Sequence, residues 1–160
     1  MSRDRVNMLV LQRENSWDKE EWIVPLAAAL HGVNTQEATW TPPGGGNTIW
    51  QTVRHINYYN ERILRRLTDR PISSTGTSND ETFGPPGDAE DHEGWQETLK
   101  EAEALVNQLF VAITALNDAD LDKPLGSDTL GAELSRWTLH DAYHSGQIVL
   151  IRKQLGTWRV

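Results

Sequence analysis

Apolar positions recur at helical spacing in four stretches of the chain, and no stretch alternates well enough for a strand. The first covers 16–31, where Trp22, Ile23, Leu26, Ala29 and Leu30 share a face, Ser16 offers an N-cap and Gly32 a stop. Pro25 inside it implies a kink or a late start. The second starts at Asn47 or Thr48, after the run Thr41-Pro-Pro-Gly-Gly-Gly, and reaches Leu67. Its stripe is Ile49, Val53, Ile56, Ile63 and Leu67, and Pro71 lies just past its end. The third, 93–117, repeats Trp95, Leu99, Ala102, Leu105, Leu109, Ala112 and Leu116 at fours and threes. The fourth has Thr129 as its N-cap and Leu130, Leu134, Trp137, His144, Ile148, Ile151 and Leu155 as its stripe. It ends at Gln154 or Leu155, with Gly156 where a C′ glycine belongs.

Four amphipathic helices without strands predict an all-α four-helix bundle, a fold that builds metal and cofactor sites in its interior. A single domain then spans 1–160, with 1–15 as an N-terminal extension. The connection 68–94 is far longer than the ~2–8 residues usual between bundle helices. A crossover of that length can traverse the bundle, so the second and third helices need not be antiparallel neighbours.

Composition narrows the chemistry. The 160 residues contain no cysteine, which excludes a disulfide scaffold, a cysteine nucleophile and thiolate ligation, so a transition-metal site must use histidine and carboxylates. The net charge is −8, and segment 68–94 carries six of those charges, with seven acids against Arg70. Nucleic acid takes a clustered basic face that an acidic chain rarely offers, which argues against that partner. The longest apolar run, eight residues from Ile23 to Leu30, is too short for a bilayer, and no secretory signal is visible, so a cytoplasmic protein is expected.

The informative segment is Thr138-Leu-His140-Asp141-Ala-Tyr143-His144-Ser-Gly-Gln147-Ile. His140 and His144 stand at i and i+4, so their rings project from one helix face a turn apart, the spacing that lets two imidazoles bind one ion. Chance spacing, with both rings hydrogen-bonded to neighbours or solvent, is the alternative until a third ligand is found. The remaining histidines differ in setting. His92 stands in the acidic segment and reads as solvated, His31 lies beside Gly32 near the last carbonyls of the first helix, and His55 is mid-helix beside Thr52 and Ile56, where a lone histidine is normally a satisfied core residue.

Asn47-Thr48-Ile-Trp50-Gln-Thr-Val-Arg-His55-Ile, followed 85 residues after His55 by His140-Asp-Ala-Tyr-His144-Ser-Gly-Gln147-Ile, closely resembles the DinB family of damage-inducible bacterial proteins. The linker Ala29-Leu-His-Gly-Val-Asn-Thr-Gln-Glu-Ala-Thr-Trp40 matches as well, and the resemblance spans roughly 17–155. It implies a bundle of unusual connectivity in which His55, His140 and His144 form a three-histidine site for a divalent metal, zinc or nickel. Three neutral nitrogens leave positions for water or substrate. A first shell without a carboxylate does not match the non-haem iron facial triad. The resemblance also implies a homodimer.

Other residues remain open between two readings. Asp141 either holds the free N–H of a ligating histidine or sits on a solvated shoulder, and Tyr143 and Gln147 either position a substrate or water or pack against a neighbour. Gly146, costly mid-helix, makes sense if a helix or ligand approaches closely there. Trp50, Tyr58, Tyr59, Trp137 and Trp158 either wall a pocket or fill the core. Arg62, Arg65 and Arg66 form a small basic face, for an anionic substrate or for solvent.

Functionally, the resemblance points to an enzyme whose metal activates a low-molecular-weight thiol such as bacillithiol or mycothiol for S-transfer to a small-molecule substrate, as in relatives that include a maleylpyruvate isomerase. A metal-dependent hydrolase is the second enzymatic reading, with Asp141 as the one nearby acid. A non-enzymatic metal-binding stress-response or interaction protein is the third. No nucleic-acid or membrane partner is expected.

Overall fold

A computed structural model describes residues 2–72 and 77–160; residues 73–76 of the acidic connection lie outside the described part. Four long helices build the bundle: α1 (Asp4–Trp17), α4 (Ile49–Leu67), α5 (His92–Thr114) and α6 (Leu130–Leu155). Two single-turn helices, α2 (Leu26–Leu30) and α3 (Thr35–Thr39), link α1 to α4. Short 3-10 turns occupy Asp80–Phe83 and Asp120–Asp122, and a hairpin of two-residue strands, β1 (Pro124–Leu125) and β2 (Asp128–Thr129), leads into α6. Strands that short leave no alternating pattern to read.

The first bundle helix is not the expected one. Segment 16–31 does not form a continuous helix: Pro25 is extended, α2 begins only after it, and Trp22 is fully exposed. The bundle helix comes instead from 4–17, all but its last two residues within what reads as an extension. Its inward face is Val6, Leu9, Arg13 and Ser16, at i, i+3, i+7 and i+10. Half of that face is polar, so an apolar stripe cannot be seen in it.

The other three bundle helices lie close to where the spacing puts them. Thr48 caps α4 through a reciprocal capping box with Gln51, Thr129 caps α6, and Gly156 ends α6 in the left-handed region at φ 72°. The third helix starts one residue earlier and stops three residues sooner than 93–117.

The long connection sets the topology. Trp50 near the start of α4 meets Trp95 near the start of α5 (ring centroids 5.4 Å apart), and Ile63 and Leu64 cluster with Leu105, Leu109 and Ile113 toward their ends. The two helices are therefore neighbours that run parallel, which requires the connection to return along the bundle. Helix α6 runs antiparallel to α4, with Trp137 in the cluster at α4's far end and Ile148 and Ile151 in the cluster around Trp50. Helix α1 packs against α5 and α6.

The returning segment is strapped to the first turns of α4. Thr48 Oγ1 donates to the Pro86 carbonyl, Gln51 Nε2 to Gly84 and Arg54 Nη1 to Pro85. Gly87 then passes over Trp50 at φ 94°, where a Cβ would stand 2.5 Å from the indole. Gly87→Ala is expected to destabilise the fold by about 1–3 kcal/mol, read by urea unfolding, because it meets both the positive φ and the ring. A variant as stable as the parent would show that the strap is not held there.

Arg152 is buried and donates to the carbonyls of Ala29, His31 and Thr157, closing the end of α2 against α6. Among the described residues no helix is long and apolar enough to cross a membrane.

Candidate metal centre

Helices α4 and α6 bring three histidines to one point inside the bundle. His55 Nε2 lies 3.0 Å from His140 Nε2, and His144 Nε2 lies 3.1 Å from the same atom. One ligand atom from each residue falls within 4.8 Å of the others. Two imidazole nitrogens on one tetrahedral zinc, each at about 2.0–2.1 Å, sit roughly 3.3 Å apart, so the cluster has the dimensions a divalent cation requires.

Hydrogen bonds at the far side of two rings explain why the Nε2 atoms converge. The Thr82 hydroxyl donates to the Asn79 carbonyl, so its oxygen is left to accept, and His55 Nδ1–H donates to it. His144 Nδ1–H donates to Gln147 Oε1 at 2.7 Å. Both histidines therefore turn an unprotonated Nε2 inward, the tautomer a metal ligand needs. The Nε2 atoms of His55 and His144 both face His140 Nε2, which has at most one proton to offer the two of them, and a divalent cation at that point would satisfy all three lone pairs.

His140 is held differently. Its Nδ1 faces Asp141 Oδ1 at 3.5 Å, too long for a good hydrogen bond, and both atoms are buried without a partner among the described residues. Asp141 is 1% exposed. Its other oxygen accepts from Arg13 Nη1 at 2.8 Å and from Asn60 Nδ2 at 3.4 Å. Asn60 Oδ1 in turn accepts from Trp137 Nε1, and the Arg13 guanidinium lies 4.1 Å from the centroid of the same indole. The reading of Asp141 as a solvated shoulder is thus excluded, because its partner is a buried arginine rather than water.

Electrostatics follow this geometry. Burial, with the neighbouring charges of His144 and His140, lowers the His55 pKa from 6.5 to about 3. Burial also lowers that of His144, against the Gln147 bond, which raises it. Burial alone would raise the Asp141 carboxyl, but Arg13 and His140 outweigh it and hold it below the usual carboxylate range. Below pH 6.5 the unfolded chain therefore takes up a proton at His55 that the folded state refuses until about pH 3. Stability falls with pH across that window, and Asp141 adds a loss in the same direction at its acid end. The chelator-treated protein should show a melting temperature that declines steadily from pH 7 to pH 4. A flat profile would contradict the buried neutral histidines.

The acidic connection contributes directly to this centre. Its 3-10 turn supplies Thr82 and also Phe83, which stacks on the His55 ring with centroids 3.9 Å apart and planes at 7°. Tyr59, one turn after His55, meets both His55 and His140 edge-on and donates to Asn79 Oδ1. Sequence reasoning passes over Thr82, Phe83, Asn60 and Arg13. Only Asn60 carried a signal, as a polar residue between Ile56 and Ile63 on the inward face of α4.

The other candidates divide cleanly. Trp50 and Trp137 are buried, Tyr58 and Trp158 are half-buried, and of the five aromatics Tyr59 stands at the histidines. Tyr143 is 64% exposed, with its ring 5.2 Å from that of His144. Gln147 holds His144 through its side-chain oxygen. Gly146 is exposed with nothing within 4 Å of a built Cβ, so no close approach explains it. His31 and His92 lie outside the cluster. His92 opens α5 and its Nδ1 pairs with Thr35 Oγ1 at 2.8 Å, so it is not simply solvated. Arg65 bonds Glu61, whereas Arg62 and Arg66 line a cavity beside His140.

The profile of the DinB superfamily matches residues 25–148, more than half of the chain and all three histidines. The chain belongs to the DinB superfamily. Helix α1, which brings Arg13 to Asp141, precedes the part of this DinB-superfamily chain that the profile covers. Neither the curated proteins nor the solved structures include a match.

Proposed function

We propose that this DinB-superfamily chain is a metal-dependent enzyme of the thiol S-transferase type. His55, His140 and His144 hold a divalent cation, zinc or nickel, and the substrate is a small molecule. The observation that carries the reading is the convergence of three Nε2 atoms, two of them, on His55 and His144, turned inward by Thr82 and Gln147 behind the rings. A cation bound there lowers the pKa of a coordinated thiol or water, so that a nucleophile forms near neutral pH.

The chain's own residues do the rest. Phe83 and Tyr59 cover the His55 side of the cluster, while the His140 side chain, 26% exposed, leaves the approach open. Asp141 stands behind His140, its Oδ1 3.5 Å from Nδ1, and would steady the ring from that side. Tyr143 stands at the rim beside His144 and positions the incoming ligand.

Thiol transfer is favoured over hydrolysis because Asp141, the acid a hydrolytic mechanism would use as base, is shut between Arg13, Asn60 and His140. A thiol, already far more acidic than water, would release its proton to solvent on coordination and needs no such base. Metal-loaded protein incubated with monochlorobimane and a panel of low-molecular-weight thiols should give conjugation that depends on both metal and thiol. Stoichiometric metal without conjugation for any thiol would sink the transferase reading and leave a binding role.

A further inference from the structure

The metal reading does not use a cavity of about 400 Å³ that opens from His140. It lies between α4 and α6, with Tyr59 and Trp137 as walls and Arg62, Arg66 and Arg136 around it. Helix periodicity places these cations. On α4, Arg62 and Arg66 follow Tyr59 by about one and two turns, and on α6, Arg136 precedes His140 by one. Because the two helices are antiparallel, the arginines of both face one space that ends at the histidine cluster.

Two acids share this region. Glu133 accepts from Arg66 Nη1, and Asp128 accepts from Nη1 and Nη2 of Arg136. Each guanidinium has five donors, so these pairs orient the arginines without exhausting them. The cavity lining carries three cations and one acid, in a chain whose net charge is −8. With Asp128 counted as well, one positive charge is in excess here, and a local excess of positive charge in an acidic protein favours anions.

We propose that this cavity is the subsite for a carboxylate of the substrate, held by Arg62 and Arg136 while the reactive end of the same small molecule reaches His140. Planar forked guanidiniums suit carboxylates in paired hydrogen bonds. The four-residue step from Arg136 to His140 is about 6 Å of helix rise, the span of a short carbon chain. The substrate class is thus a small organic acid, or a thiol bearing a carboxylate. This inference rests on the metal reading for the role of the far end, but the carboxylate subsite stands on its own residues.

The test uses succinate as the probe with the full-length, chelator-treated protein, following the assigned Trp137 indole N–H by NMR. Succinate should move that resonance saturably and uncharged succinamide should not. The double variant Arg62→Gln with Arg136→Gln should weaken binding by at least roughly tenfold, and the corresponding double lysine variant should restore part of it. Matching melting temperatures establish that the variants are folded. Equal shifts with succinamide, or unchanged succinate binding in the double glutamine variant, would overturn the subsite. Inorganic phosphate binding more tightly than succinate would overturn the carboxylate assignment. Cobalt retention by the same protein is measured in parallel. Lost cobalt with intact succinate binding rejects the metal reading alone, and retained cobalt with no succinate effect rejects the subsite alone.

Discussion

Replacing His144 with alanine should abolish stoichiometric binding of zinc or nickel, with an affinity loss exceeding the ~10–100-fold typical of removing a supporting residue behind a ligand. The effect is large because His144 supplies one of only three nitrogens, and its Nε2 is already set toward His140 by Gln147. His55→Ala should behave alike. A thermal readout gives the same result independently of activity. At free metal about 100 times the dissociation constant, the parent gains about 2.7 kcal/mol. For a chain of 160 residues that is a rise of roughly 5–10 °C, and neither variant should show it. Elemental analysis finding full occupancy in both would refute the site.

Arg13→Ala should produce the largest loss of stability of any single change near the centre. Arg13 and Asp141 form an ion pair with side chains only 4% and 2% exposed, and removing one partner leaves the other charge buried and uncompensated. Such losses run to about 3–5 kcal/mol, a fall of roughly 6–20 °C in melting temperature here. The Asp141 carboxyl should also titrate at higher pH without the guanidinium. With Asp141 no longer anchored, His140 loses its support, and metal affinity should drop about 10–100-fold in variant protein that remains folded at low temperature. Arg13→Lys keeps the charge but loses the fork, so it should recover part of both effects. Metal affinity unchanged in Arg13→Ala would show that the pair stabilises the bundle without serving the site.

These two expectations differ in how far the chain alone announces them. The pair His140 and His144 is readable because helix pitch alone puts both rings on one face, whereas His55, beside Ile56 on the inward stripe of α4, reads by itself as a core residue and joins them only through the resemblance to the DinB family. Arg13 is not readable. An arginine seven residues after Val6 looks like a break in an apolar stripe, and it points inward only because Asp141, 128 residues away, meets it there. The same misreading moved the first helix to 16–31, where the apolar run around Trp22 and Ile23 has helical spacing but Pro25 interrupts it and Trp22 packs against nothing.

The acidic connection makes the same point from the other side. Its charge and its Gly, Pro, Ser and Thr content read as solvent-exposed, and much of it is, yet Thr82 and Phe83 are the residues that fix and cover His55. Nothing in their own neighbourhood marks them. They reach the centre because Gly84, Pro85 and Pro86 are tied to Gln51, Arg54 and Thr48 at the start of α4.

By itself the sequence determined an all-helical bundle, the caps of α4 and α6, the length of the connection between α4 and α5, and the His140–His144 pair on one helix face, since each of these follows from spacing within one helix or from a single local stretch of chain. Tertiary structure alone decided which segment became α1, that Asp141 is buried against Arg13, that Thr82 and Gln147 turn two Nε2 atoms inward, and that arginines from two helices ring one cavity. Those outcomes depend on pairs of polar groups far apart in the chain. A buried charge or hydrogen bond is stable only once its partner is in place, so neither partner shows its role alone.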